Sequence, residues 1–391
     1  MGVIELDNNA TTRPSPAVIE AMTRALGETW HNPSSVHRAG QEARRAVELA
    51  RASLAKLINA KPRELTLTSG GTEALDLAIK GVLESRGLFA PGAAKPVLVT
   101  TKVEHAAIRE LADDLARRSA ADVRYLPVTR EGRIAMTDAA KEMITPDAVV
   151  AVQWANNETG VIQPVRELSE ACQAARATLI IDGTQWVGKM PTDVSRELFD
   201  ALIFAPHKWH GPKGVGVLWS KPGLRLRPQL LGTQELGRRG GTENVPAIIG
   251  AGVAAEEAVT WLANAAGRDG VAVLRDRFEA KVFEALPDTA RNSPSESSRR
   301  LWNTTNLGFP NLEAEALLLL LSEQGLAASA GAACSSGSLD PSPVLLAMGV
   351  PEAIAHGSLR FSLSKHTTQD ESDAAAAIVI AAVARLRKSW R

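Results

Sequence analysis

Cysteine and tyrosine are nearly missing from this chain, whose 391 residues hold two cysteines and one tyrosine. Cys172 and Cys334 lie far apart, so no disulfide framework carries its stability. Both thiols are expected to be reduced, as in a cytoplasmic protein. An excess of one charge is also lacking. Lys+Arg and Asp+Glu each total 44, so the net charge is zero and nothing points to nucleic acid or a membrane surface. The longest near-continuous apolar run, Ala374 to Ala384, is too short to cross a bilayer. The start, MGVIELDNNATT, lacks the basic-then-apolar pattern of a secretion signal. The expectation is a cytoplasmic globular protein without nucleic-acid or membrane partners. At this length two domains are expected, one large and one small.

What is present is an alternation of short apolar runs with helical periodicity. Ser15-Pro16 is a capping serine followed by a proline at the first helical position. The spacing predicts a helix to about Glu28, then a long one whose buried face holds Val36, Ala43, Val47, Ala50, Leu54, Leu57 and Ile58. Strands are predicted at 65–68, 96–100, 123–126, 149–153, 179–181, 201–205 and 215–219, with helices between most of them. Apolar strands alternating with helices predict an α/β domain with a mostly parallel seven-stranded sheet flanked by helices. After about Ala247 the pattern is helical to about Leu286. A polar break follows, 287–300, and then a smaller α+β domain with a strand at 301–309, a helix at 313–324 and a last helix from about Gln369. The expected division is 16–258 for the large domain, and 1–15 with 259–391 for the small one.

Three loops stand out. Lys208 follows the apolar run Ala201 to Ala205 and precedes Gly211, Pro212 and Gly214. A lysine at the mouth of a buried strand is either a solvated turn residue or a Schiff-base nucleophile. Asp182 closes the run Leu179-Ile180-Ile181, where Asp-Gly is also a common turn pair. If both strands share one sheet edge, an amine and a carboxylate face one pocket. Pyridoxal 5'-phosphate needs that pair, a lysine for the Schiff base and an acid for the pyridine nitrogen. Ser69-Gly70-Gly71-Thr72-Glu73 joins a strand to a helix, either as a tight turn or as a phosphate cradle at a helix N-terminus. His207 and His210 have no third ligand nearby, so no metal is expected. Gly214-Val215-Gly216 leads into a strand, which rules out a dinucleotide loop.

Taken together, Leu6-Asp7-Asn8-Asn9-Ala10-Thr11-Thr12, the Ser69 loop, Val103-Glu104-His105, Trp154-Ala155-Asn156-Asn157-Glu158-Thr159-Gly160, Asp182-Gly183-Thr184-Gln185, His207-Lys208, Gly237-Arg238-Arg239-Gly240-Gly241-Thr242-Glu243-Asn244 and Leu359-Arg360-Phe361-Ser362-Leu363 are informative. The set resembles the pyridoxal-phosphate cysteine desulfurases of the NifS/IscS type, in the class-V aminotransferase group of fold type I. It is most similar to the nitrogen-fixation branch, and the resemblance runs from about Ile4 to Leu386.

The resemblance implies roles. Lys208 would carry the cofactor, Asp182 would pair with the pyridine nitrogen and Gln185 with the ring hydroxyl. His105 would stack on the ring and move protons. Gly71, Thr72 and His207 would hold the phosphate. Thr242 would reach the neighbouring subunit's phosphate in a homodimer. Asn157 and Arg360 would hold the carboxylate of L-cysteine. Cys334, in a loop of small residues at about 328–340 expected to be mobile, would take the sulfur as a persulfide and leave L-alanine. An iron–sulfur scaffold protein would then receive the sulfur. Cys172 is expected to be a helical core residue.

Two features depart from the family pattern. Ala205 stands where a phosphate-binding hydroxyl residue is usual, so weaker cofactor retention is expected. Leu231-Gly232-Thr233-Gln234-Glu235 lacks the usual histidine. The competing readings are a selenocysteine lyase or other β-lyase, which needs Lys208 but not Cys334, and an inactive scaffold partner of the same fold.

Overall fold

The computed structural model describes residues 2–87, 92, 94–330 and 340–389. In chain order the strands are β1 (Ile4–Glu5), β2 (Leu65–Thr68), β3 (Val97–Thr100), β4 (Asp122–Tyr125), β5 (Val149–Gln153), β6 (Thr178–Asp182), β7 (Ala201–Phe204), β8 (Gly216–Ser220), β9 (Ala290–Arg291), β10 (Thr304–Gly308), β11 (Leu326–Ala327) and β12 (Ser358–Ser362). Seven of them form the large sheet in the order β2-β8-β7-β6-β5-β3-β4.

Every residue of β5, β6, β7 and β8 is buried, which explains their continuous apolar runs. Alternate residues serve opposite faces. Val149 and Ala151 pack with helices Gly71–Ser85 and Ala106–Arg117, through Ile79, Leu83 and Ile108. Val150 and Val152 join Leu54 of Arg38–Leu57, Leu168 of Val165–Ala175 and Ile248 of Val245–Leu262. The helix Val245–Leu262 is long and apolar enough to cross a membrane. Half of it is buried, and it packs against both Pro16–Glu28 and Arg38–Leu57, so an apolar surface on several sides is expected of it.

One strand runs against the others. β8 pairs antiparallel with both β7 and β2, whereas β3, β4, β5, β6 and β7 pair in parallel. The link from β7 to β8 is too short to hold a crossover helix, so the chain must turn straight back. That return carries Lys208 in a 3-10 turn, Pro206–Lys208.

A second core gathers Leu6, Phe278, Leu307, Phe309, Leu317, Phe361 and Val379. It covers the antiparallel sheet β12-β10-β9, beside a parallel pair of β1 and β11. The expected helical stretch after Ala247 is two helices, Val245–Leu262 and Ala265–Ala285, the second capped by the Asn264 side chain on the Gly267 N–H. The polar break holds the short strand β9. Val36 is not on a buried face, being 94% exposed. The helix begins later, at Arg38, where His37 Nδ1 accepts from the Gly40 N–H.

Gly216 shows why the run Gly214-Val215-Gly216 needs its second glycine. A Cβ there would lie 2.2 Å from the Gly70 carbonyl group. β8 therefore lies directly against the Ser69 loop. Gly216→Ala is expected to cost about 1–3 kcal/mol by overpacking and to displace that loop, read as a lower melting temperature.

Candidate active site

β6 and β7 are adjacent and parallel, with Asp182 opposite Ile203. Their carboxyl ends therefore share one edge, the usual ligand edge of an open α/β sheet. Asp182 ends β6 and is 4% exposed. Its Oδ1 accepts the Thr184 N–H at 2.9 Å, so the turn reading is also true of it. Lys208 stands just past β7, where Nζ donates to the carbonyls of Asn9 (2.7 Å) and Ala10 (2.9 Å). A cavity of about 220 Å³ opens between them. Its lining includes Gly71, Thr72, His105, Asn157, Asp182, Gln185, His207 and Lys208.

An open corner suited to an anion follows from local geometry. The helix Gly71–Ser85 starts at Gly70, which has no side chain to cap it. The first N–H groups of the helix thus stand at the cavity wall, where an anion would be favoured. A Cβ on Gly71 would contact Thr184 Oγ1 at 3.4 Å and Ala205 Cβ at 3.7 Å, so the glycine leaves that corner open. Glu73 secures the loop, its carboxylate accepting from the Ser69 N–H (2.7 Å) and Arg239 Nε (2.8 Å). The methyl of Ala205 does border the cavity, but Thr184 brings a hydroxyl to the same corner.

The histidines are held neutral. His105 caps Ala106–Arg117, with Nδ1 accepting the Ala107 N–H at 3.1 Å. The same ring lines the cavity. Burial pulls its pKa below the usual 6.5, Asp182 opposing that pull and Lys208 adding to it. With Nδ1 accepting, the ring proton sits on Nε2. His105 can donate there, whereas gaining a proton would break the cap. His207 lies against Thr11, Nδ1 to Oγ1 3.2 Å. Burial, with Lys208, Lys213 and Lys189 nearby, drives its pKa down to about 3.

Glu104 lies beneath the site. It is fully buried, accepting from Thr101 Oγ1 and from the Gln153 N–H, each at 2.7 Å. Burial raises its pKa to about 8 from 4.5, partly offset by those hydrogen bonds, with Asp182 adding to the rise. A carboxyl raised on folding stabilises fully below its unfolded pKa and loses that contribution as pH rises through the folded value. Glu104→Gln, which imitates the protonated acid, should match wild type near pH 5. It should melt higher by pH 8, on the order of 5 °C. Equal melting curves at both pH values would refute this.

The substrate-side residues are only partly assembled in the cavity. Arg360 is buried on β12, donating to the Asn157 carbonyl (3.2 Å) and pairing with Asp7 (2.6 Å). Its Nε, like Asn157 Oδ1, has no hydrogen-bond partner among the described residues. Such orphaned buried atoms call for a ligand. Thr242 is exposed and outside the cavity lining. Cys334 lies outside the described residues. Cys172 is buried in its helix, and burial pushes its thiol up to about 12, an inert core position.

Sequence reasoning passed over Thr184, Asn9 and Lys189. Thr184 lies inside a quoted motif, between Asp182 and Gln185. Asn9 sits in the N-terminal motif, but nothing local shows that it meets Lys208 across the fold. The signal for Lys189 was its spacing, four residues after Gln185.

A family description for class-V aminotransferases matches residues 4–374. Cysteine desulfurase 2 of Trichormus variabilis is 42% identical, covering 99% of this chain and 94% of that protein. Cysteine desulfurase NifS of Azotobacter vinelandii is 41% identical with the same coverage. Among solved structures, a NifS-like protein superposes with a TM-score of 0.89 at 32% identity, covering 98% of this chain and all of the other. A match of this length, on a fold whose paired strand ends bring Asp182 and Lys208 to one cavity, shows that the chain belongs to the class-V aminotransferase family.

Proposed function

We propose that this chain is a pyridoxal-phosphate-dependent cysteine desulfurase, converting L-cysteine to L-alanine with a persulfide left on Cys334. The observation that carries the reading is the juxtaposition of Asp182 and Lys208 at adjacent parallel strand ends, beside the uncapped helix start at Gly71. The relatives named above carry that activity in their names. The cavity fits the cofactor on three counts: the open corner at Gly71, the free first turn of its helix and an amine facing a carboxylate.

When bound, the cofactor supplies an electron sink that acidifies the substrate Cα–H and activates its Cβ–S bond. Lys208 would anchor it through Nζ and would hold the proton taken from Cα. Asp182 supplies the negative charge for the ring nitrogen. Gly71, Thr72, Thr184 and neutral His207 hold the phosphate. His105 would lie against the ring and would donate from Nε2. Asn157 and Arg360 hold the substrate carboxylate, for which a guanidinium fork is suited; Asp7 must then share Arg360. The Cys334 thiolate attacks the substrate sulfur. An S–S bond forms as the C–S bond breaks, and the carbon is protonated to give alanine. Cysteine plus a thiol thus becomes alanine plus a persulfide, balanced without an added oxidant.

The proposal extends to a homodimer with Thr242 facing the partner's cofactor, and to a cytoplasmic iron–sulfur scaffold protein as acceptor, either in nitrogen fixation or in general assembly. It divides the chain at 16–258 against 1–15 with 259–391. The separate cores around Val150 and Phe278 support that division. The test is the purified protein with added cofactor and L-cysteine. A visible absorption band and alanine release are expected. A band with undiminished sulfur release in Cys334→Ala would indicate a β-lyase, and no band at all an inactive partner.

A further inference from the structure

We propose that Lys189, given no role above, is a positioning residue. It turns the Gln185 amide so that Gln185 offers the cavity a hydrogen-bond donor, and it clamps Asn9, whose carbonyl seats Lys208. This rests on the cofactor reading of the site.

Lys189 is 4% exposed. Its Nζ donates to Gln185 Oε1 and to Asn9 Oδ1, both at 2.7 Å. Gln185 Nε2 donates to the Asn9 carbonyl at 3.0 Å, closing a ring of three hydrogen bonds. The same carbonyl accepts Lys208 Nζ. Nζ is the donor in both bonds, so both amides turn oxygen toward it. Asn9 agrees, since its Nδ2 faces the other way, to Thr304 Oγ1 (2.9 Å) and the Asn157 carbonyl (3.1 Å). Gln185 therefore has only its N–H face left for the cavity. The backbone of Lys189 is pinned too, its carbonyl accepting Trp302 Nε1 at 3.0 Å.

The arrangement is costly as mere structure. Among the described residues no carboxylate pairs with Lys189. Burial drives its pKa well below 10.5, with Lys208 and Arg360 adding to the effect. A methionine would fill the space without that penalty, so the amine is there for its hydrogen bonds.

The test is a double-mutant cycle on the full-length protein with Lys189→Met, Gln185→Leu and both. The readouts are the pH midpoint of the bound cofactor's visible band, the rate of cofactor release and the melting temperature of the apoprotein. Lys189→Met is expected to shift the midpoint, because it frees the Gln185 amide and the Asn9 side chain whose carbonyl seats Lys208. Release should quicken roughly tenfold, as for one lost hydrogen bond. The double variant should release no faster than Gln185→Leu alone. A Lys189→Met protein that melts lower but keeps the wild-type midpoint and release rate would overturn the proposal, as would additive effects.

Should Lys189→Met not fold, Gln185→Glu keeps an oxygen for Lys189 and removes the donor. The new ion pair to Lys189 offsets the lost bond to the Asn9 carbonyl, so the apoprotein should melt close to wild type and still release cofactor faster. A lower melting temperature with unchanged release contradicts the ring. If wild type forms no visible band, the cofactor reading fails separately. The ring must then still appear as non-additive melting temperatures of the apoprotein variants, and additive ones would overturn it.

Discussion

Lys208→Ala is expected to lower alanine formation from L-cysteine at least about 10⁴-fold, since in the proposed reaction Lys208 is both the covalent anchor and the proton holder. Two backbone carbonyls hold this amine at the cavity, from Asn9 and Ala10. They come from the N-terminal segment, which reaches the site from the far end of the chain. In the variant the Asn9 carbonyl keeps its bond from Gln185 Nε2, and the carbonyl of half-buried Ala10 can turn to water. The melting temperature should therefore stay near that of wild type while activity disappears. The assay is alanine release with cofactor in excess. A variant within tenfold of wild type would remove Lys208 from the chemistry.

Asp182→Asn carries the second largest expected effect. The amide oxygen can still accept the Thr184 N–H, so the turn at the end of β6 survives. What disappears is the negative charge. A preorganised electrostatic contact of this kind is worth roughly 10²–10³ in rate. The expected result is a folded protein that binds cofactor with an altered absorption spectrum and turns over about 10³-fold more slowly. Glu104 sharpens the expectation. Its raised pKa leaves it uncharged near neutral pH, so it does not replace the lost carboxylate. A variant with the wild-type spectrum and rate would place the ring nitrogen elsewhere.

Much of this was legible in the chain. The central strands β5, β6, β7 and β8 are largely apolar because both of their faces are covered, and such runs need no tertiary information to find. Asp182 and Lys208 were visible as polar residues closing such runs. Their meeting in space required only that β6 and β7 be neighbours. The reversal of β8 was also implicit, since the link from β7 is too short for a crossover. The exposure of Val36 was less legible. Its spacing suits the helix face, but His37 caps the helix after it, and a cap overrides periodicity.

The links that join Asn9 to Lys208, Gln185 and Lys189 could not be read at all. They connect residues some 180 to 200 positions apart, and single-chain periodicity is silent at that range. His105 shows a third case. One ring both caps its helix through Nδ1 and lines the cavity, and nothing in the sequence near it announces the cap.

The central claim is that sulfur leaves L-cysteine for Cys334 with Lys208 and Asp182 in charge of the carbon chemistry. The most direct measurement incubates cofactor-loaded protein with L-cysteine, without acceptor or reductant, and follows alanine alongside the mass of the Cys334 peptide. One alanine per active site is expected in the first turnover, with a Cys334 peptide heavier by one sulfur atom. Alanine formed at full rate with an unmodified Cys334 peptide, or no alanine from protein that holds its cofactor, would contradict that claim.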